Sequence, residues 1–297
     1  MRPFLSILVL FALCFPVRAE LNVVTSVLPV YCLVKNVCGD AAHVENLIKP
    51  GIGPHDYQFS PSDLKKLASA DLIFINGLSL EGWIEKPLRS AAAKALVSKV
   101  SDGLEVDLIR SVPQLVADEK TSPSADQLPN PHIWLDPTLW QKAAINVVRI
   151  LSEKDPAHAE LYRKNGTQYI ETLKALDVDA VSKLKPFVNA PIITFHDAFP
   201  YFTRHYQLKL VGVVEQAPDV DPSFKHLHSL ETIIKQEKVQ VLLTEPQYQS
   251  RLVKSLSSNF KVPTAELDPM ETGPLQADTY EKVMRKNIQT LVQVLKK

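Results

Sequence analysis

Short apolar runs rich in β-branched residues recur along the chain and alternate with stretches whose apolar side chains fall at helical spacing. Residues 22–28, 43–48, 72–76 and 96–100 read as strands, with helices at 30–37, 61–69 and 83–93 between them. The alternation returns in the second half, with strands at 192–195, 208–214, 241–244 and 263–267 and helices at 198–206, 222–237, 250–257 and 277–295. Such a β-α-β-α order predicts an α/β fold of two lobes, each a mainly parallel sheet flanked by helices.

The stretch between the two patterns differs. Residues 101–131 carry Pro113, Pro123, Pro129 and Pro131 and a polar run over 118–127, which predicts a long surface loop. Asp136-Pro137 opens a helix to about residue 152. Asp155-Pro156 then caps another, which the recurrence of Leu161, Tyr169, Leu173, Leu176, Val181 and Leu184 carries towards residue 188. Some thirty helical residues would reach about 45 Å, the length of a rigid strut joining two domains, with Gly166 its one weak point. The expected division is a leader over 1–19, an N-terminal lobe over 20–154, a linking helix over 155–188 and a C-terminal lobe over 189–297.

The leader rests on composition. Arg2 supplies a positive start, residues 4–17 are mostly apolar, and Val17-Arg18-Ala19 is a small-residue cleavage site, so residues 1–19 read as a secretory signal with the mature chain starting at Glu20. Cys14 follows Leu13, where a lipoprotein signal carries a small residue, so lipid attachment is not expected. The full chain has 33 basic and 33 acidic residues; loss of Arg2 and Arg18 leaves 31 against 33. Near-neutrality disfavours a nucleic-acid partner. No later run is apolar for long enough to span a bilayer, which points to a soluble exported protein. Cys32 and Cys38 lie six positions apart on an expected helix, which turns their sulfurs to different sides, so both read as small buried hydrophobes, with a disulfide the alternative that an oxidising compartment leaves open.

Four distant turns each carry one metal-capable side chain: His55 in Gly51-Ile52-Gly53-Pro54-His55, His132 in Asn130-Pro131-His132-Ile133-Trp134, His196 in Thr194-Phe195-His196-Asp197, and Asp268 in Leu267-Asp268-Pro269. Three imidazoles and one carboxylate form a complete tetrahedral set for a zinc ion. There is no His-Glu-x-x-His and no Cys-x-x-Cys, so no local finger is expected. His55, His196 and Asp268 fall beyond the ends of expected strands, where open α/β sheets bind ligands, which puts the ion in the cleft between the lobes.

The words carrying these residues, Gly51 to Asp63, Asn130 to Pro137, Phe195 to Phe202 and Glu245-Pro246-Gln247, resemble the metal-specific solute-binding proteins of ABC transporters, the zinc and manganese cluster called ZnuA-like or TroA-like. The resemblance runs in order over essentially the whole mature chain. It implies two α/β lobes joined by one rigid helix, a metal buried between them, and delivery of that metal to a membrane permease. Carried onto this sequence, it implies the ligands His55, His132, His196 and Asp268. Zinc is favoured over manganese because the position of His196 tends to be a carboxylate in manganese binders. The chain departs from many zinc-uptake relatives in having no histidine within residues 111–131.

Other residues take plainer readings. His226 and His228 diverge on a helix, and His43, His158 and His205 are isolated, so all five read as structural or solvated. Asp56 and Asp197 follow ligands and could accept from an imidazole; as turn or cap acids they would be equally ordinary. Glu245 could support the site, while Trp134 and Tyr57 read as cleft walls. A zinc hydrolase is the rival class, but four protein ligands leave no position for an activated water. A surface adhesin would be a role added to metal transport.

Overall fold

The computed structural model describes residues 20–55, 57–110, 128–215, 222–246 and 251–296. The expected leader, Asp56 and the centre of the 101–131 loop lie outside them. The first lobe is built from β1 (Leu21–Thr25), α1 (Leu28–Cys38), β2 (Ala42–Asn46), α2 (Pro61–Ser69), β3 (Leu72–Ile75), α3 (Glu85–Ser90) and β4 (Leu96–Lys99), with all strands parallel in the order β2-β1-β3-β4. Helices α4 (Pro137–Lys154) and α5 (Ala159–Leu184) follow. The second lobe comprises β5 (Pro191–His196), α6 (Pro200–His205), β6 (Lys209–Glu215), α7 (Phe224–Glu237), β7 (Val241–Thr244), α8 (Arg251–Phe260), β8 (Thr264–Glu266) and α9 (Thr279–Leu295), again all parallel, in the order β6-β5-β7-β8. The α/β class with two parallel sheets and a long joining helix is the one the patterning predicts. Among the described residues no helix is long and apolar enough to cross a membrane.

Two local expectations need correcting. The strand expected over 22–28 stops at Thr25, because Pro29 sits in the first turn of α1, where its fixed φ suits a helix start. The joining helix is shorter than thirty residues: α5 has 26, about 39 Å, between single 3-10 turns at Pro156–His158 and Lys185–Phe187. Its buried seam is Tyr162, Gly166, Tyr169, Leu173, Leu176, Ala180 and Leu184. Those steps of three and four hold one face, and the expected seam members Leu161 and Val181 fall off it, 39% and 45% exposed.

Helix α5 is no bare strut. It packs along α4 and also against α1 and α9, and one apolar cluster joins Val23 and Phe74 of the first sheet, Leu173 and Leu176 of α5, and Ile192 and Leu243 of the second. Gly166 admits a close approach of α4 to α5: a Cβ there would stand 2.2 Å from Val148 Cγ2. The residue that looked weak for a helix is the one that permits the packing. Cys32 and Cys38 are free and buried on α1, and burial pushes both thiols up to about 12, so they stay protonated core residues.

A polar tie reinforces the joint. His205, at the end of α6, places Nε2 at 2.6 Å from Asp177 Oδ1 on α5 and Nδ1 at 3.5 Å from Asp136 Oδ1; Asp136 is the N-cap of α4. Burial pulls the imidazole pKa down, but the hydrogen bond to Asp177 and the charges of Asp136 and Asp177 outweigh it, and the net shift is upward.

Gly166→Ala is expected to lower the melting temperature of the metal-free protein although alanine is the better helix former by about 1 kcal/mol, since overpacking a helix contact costs about 1–3 kcal/mol. Adding Val148→Ala to the same chain should recover stability, as read by thermal unfolding. For His205, a raised folded pKa gives stability that is full below the unfolded value and lost as pH rises through the folded one. His205→Gln should therefore lower the melting temperature more at pH 5.5 than at pH 8.5.

Candidate metal centre

Each histidine is held by a different device. His55 lies within the loop between β2 and α2, where the Trp83 indole Nε1 donates to Pro54 O at 2.8 Å and the Tyr57, Phe59 and Trp83 rings pack at centroid distances of 5.1 to 5.4 Å. His132 precedes the 3-10 turn Ile133–Leu135 that leads into α4. Its neighbour Pro131 accepts from Asn76 Nδ2 at 2.9 Å, just beyond β3. Asn76 is itself fixed by the buried carboxylate of Glu81, which accepts from the Asn76 and Gly77 amides and from Ser26 Oγ. Gly77 is required there: its φ is +85° and a Cβ would meet Ser101 Oγ at 2.7 Å. His196 is the last residue of β5 rather than the turn after it.

These three side chains come together. His55, His132 and His196 each offer a nitrogen within 4.8 Å of the other two, with ring centroids 5.3 to 6.1 Å apart. Zinc–nitrogen bonds of about 2.0–2.1 Å in a tetrahedron put nitrogens roughly 3.3 Å apart, so small movements would suffice to share one ion. His132 Nδ1 faces Asn130 Oδ1 at 3.0 Å. An amide oxygen only accepts, so Nδ1 carries the proton, and Nε2 is left buried without a hydrogen-bond partner. His196 Nδ1 lies 2.5 Å from Glu245 Oε1, the carboxylate–imidazole pairing that orients a metal ligand. The support expected of Glu245 is thus visible as a direct contact.

Asp268 is not brought into this cluster. It is buried, but its Oδ1 accepts from the Glu271 and Thr272 amides and its Oδ2 from Thr272 Oγ1, so it caps the turn Asp268-Pro269-Met270-Glu271. Asn287 clamps its backbone, accepting from Asp268 N and donating to Asp268 O. Glu271, at the far end of the same turn, is an acid that the sequence analysis did not single out. It is 8% exposed, its carbonyl accepts from Gly51 N at 2.7 Å on the His55 loop, and its carboxylate acts electrostatically on His196. Its signal was proximity alone: a second acid three residues beyond the first.

The walls join the lobes. Trp134 lies against His132, with ring centroids 5.2 Å apart, and donates from Nε1 to Pro269 O at 2.9 Å, while Tyr57 hydrogen-bonds Asp63 and Leu47 O beside the His55 loop. Asp197 does not orient His196; it accepts from Asn130. Of the plainer histidines, His226 is buried with Nε2 donating to the Val213 and Val214 carbonyls, which holds α7 on β6, His158 pairs with Asp155, and His43 and His228 face solvent beside Glu45 and Glu231.

The site treats its histidines in opposite ways. Burial, then the neighbouring His196 and His55, hold the His132 pKa well below its usual value. Burial also pulls on His196, but the Glu245 carboxylate, helped by Glu271 and Asp197, more than reverses it and raises the net value. Burial pushes the Asp197 carboxyl up to about 6 against the lowering effect of Asn130 and His196.

Two parallel α/β lobes around a packed joining helix, with ring nitrogens from both converging at their junction, define the class of solute-binding proteins of metal ABC transporters. A family model described as zinc-uptake complex component A, periplasmic, matches residues 23–294, and the chain belongs to that family. It is 28% identical over 277 residues to the high-affinity zinc uptake system protein ZnuA of Bacillus subtilis, covering 92% of this chain and 86% of that one. The zinc-binding lipoprotein AdcA of Streptococcus pneumoniae is 30% identical over 279 residues, which cover 92% of this chain but only 56% of AdcA, so the chain spans about half that relative's length. Among solved structures, FpvC from Pseudomonas aeruginosa in complex with Mn2+ superposes with a TM-score of 0.82 at 26% identity, covering 93% of this chain and 99% of that one. The laminin-binding adhesin Lmb of Streptococcus agalactiae gives 0.79 at 26% identity, covering 93% and 100%. The family consists of solute-binding proteins, not enzymes, and the hydrolase reading is set aside.

In the metal-free protein, imidazole signals followed by NMR against pH should place the His196 midpoint above 6.5 and leave His132 neutral well below it. Glu245→Gln should bring the His196 midpoint down. A His196 midpoint that does not move in that variant would show that Glu245 does not hold its proton.

Proposed function

We propose that the chain captures one zinc ion in the cleft between its lobes and delivers it to an ABC transporter permease, acting as a monomer in the periplasm after removal of residues 1–19. The observation that carries this reading is the trio of half-buried His55 and buried His132 and His196, drawn from both lobes, with a nitrogen of each within 4.8 Å of the others. Three imidazoles favour zinc over manganese, which is better served by oxygen donors, and relatives named for zinc uptake support the same choice. Structures of FpvC are described with Mn2+ and Ni2+, so manganese is the second reading and the natural competitor in a test.

The fourth donor belongs to the turn that starts at Asp268. Asp268 is the ligand expected from sequence, and both its oxygens accept hydrogen bonds within that turn. Glu271 is buried, electrostatically coupled to His196 and hydrogen-bonded through its carbonyl to the His55 loop. We therefore assign the fourth position to Glu271, with Asp268 shaping the turn that presents it. A carboxylate there closes the tetrahedron.

Zinc should bind with a stoichiometry of one and tighter than manganese. His196→Ala and Glu271→Gln should each weaken it by several kcal/mol, on the order of one ligand lost. Asp268→Asn should weaken it less than Glu271→Gln; the reverse order would return Asp268 to the ion. Bound zinc stabilises the folded chain in proportion to the logarithm of free zinc over its Kd. Because His196 must give up a proton held above the usual histidine value, the zinc-induced rise in melting temperature should shrink from pH 7.5 to pH 5.5. An equal rise at both pH values would mean that imidazoles do not hold the ion.

A further inference from the structure

Asn130 is 2% exposed and stands between the two halves of the metal centre. Its side chain has four hydrogen-bonding positions, two acceptor and two donor, and the structure uses all of them. Oδ1 accepts from His132 N and faces His132 Nδ1, both at 3.0 Å. Nδ2 donates to Asp197 O at 2.7 Å and to Asp197 Oδ2 at 3.1 Å. The orientation of the amide is therefore determined: the oxygen must face the backbone N–H of His132 and the nitrogen must face the oxygens of Asp197. The backbone of Asn130 is held as well, with its N–H donating to Ile109 O at 2.8 Å and its carbonyl accepting from Tyr201 Oη at 2.8 Å.

His132 arrives from the segment that follows the first lobe, and Asp197 directly follows His196 at the end of β5 in the second. One side chain thus contacts the ring of one histidine and the residue adjoining another across the cleft. We infer that Asn130 is the positioning residue that couples the lobes at the metal: it fixes His132 with its proton on Nδ1 and its Nε2 lone pair towards the ion, and it latches that ring to Asp197. This inference rests on the zinc-binding reading above and adds to it a residue that does not touch the metal. Any movement of His132 away from the end of β5 during release breaks both hydrogen bonds from Nδ2, so the latch also slows release.

The test is a mutant cycle on the full chain, with zinc affinity read by competition with a chromophoric chelator, zinc release by stopped flow, and the visible absorption of the Co2+-loaded protein as a reporter of ligand geometry. Asn130→Ala should weaken zinc 10- to 100-fold, the range for partners that orient a metal ligand, speed its release and alter the Co2+ spectrum. Asp197→Ala should weaken zinc by a smaller factor, since the backbone carbonyl still accepts. In the double variant the two effects should combine to less than their product, because the second change removes a contact already lost. Wild-type affinity and an unchanged Co2+ spectrum in Asn130→Ala, with only its metal-free melting temperature lowered, would reduce Asn130 to a structural residue. Fully multiplicative effects would refute the latch. His132→Ala, run in parallel, separates the two readings. Loss of zinc there beside wild-type binding in Asn130→Ala removes the latch alone, whereas full zinc affinity in His132→Ala removes the zinc site and the latch with it.

Discussion

Buried imidazoles can share one ion only if each presents a lone pair to the same point, and a ring has no preferred direction of its own. The constraint on which the rest depends is therefore the occupation of the ring nitrogens that face away. In His132 that nitrogen meets the Asn130 amide oxygen, and in His196 it meets the Glu245 carboxylate. Both partners are themselves held by the fold, Asn130 by Asp197, Ile109 and Tyr201 and Glu245 by its place just beyond β7. Orientation passes inward from backbone to second side chain to ring, the order in which metal sites are tuned.

The lobes that supply these rings are not two bodies on a tether. Apolar residues of both lobes share one cluster through α1, α4, α5 and α9, beside a separate cluster in each lobe, and polar contacts cross the same region: Tyr280 Oη to Trp134 O, Trp134 Nε1 to Pro269 O, Tyr31 Oη to Leu275 O. Domains joined by a small polar interface move readily. Here a swing of one lobe on the other would have to break close-packed apolar contacts, including the α4–α5 approach at Gly166. That leaves the loop bearing His55, whose Gly51 N reaches Glu271 O and whose residues 49–52 are exposed, as the part of the site least committed to the shared core.

Charge completes the design. The acids Glu245, Glu271 and Asp197 all act on His196 and raise its pKa, while His132 is kept neutral by burial and by the neighbouring rings. A divalent cation held by the trio would meet one neutral imidazole and another whose hold on a proton the surrounding acids strengthen. Protons and metal compete for the same atoms.

The fold was largely legible along the chain because parallel sheets buried on both faces demand continuous apolar strands, and the pattern of such strands with intervening helices is local. The identity of the three histidines was legible for a similar reason: each sits in a short word at or near the end of a strand, where an α/β sheet exposes its binding edge. What the chain could not reveal by itself lay in contacts between distant segments. Gly166 reads as a defect until Val148 of α4 is placed against it, and Leu161 reads as core until the seam of α5 is seen to run through Tyr162. His205 looks isolated until Asp136 and Asp177 arrive from other helices. Asp268 and Glu271 look alike as candidate acids until the turn closes and the Asp268 carboxylate is seen to accept hydrogen bonds from Glu271 and Thr272. Local patterning follows from propensity and burial along the chain, whereas the partner of each polar or small side chain is chosen by three-dimensional packing, which no single segment encodes.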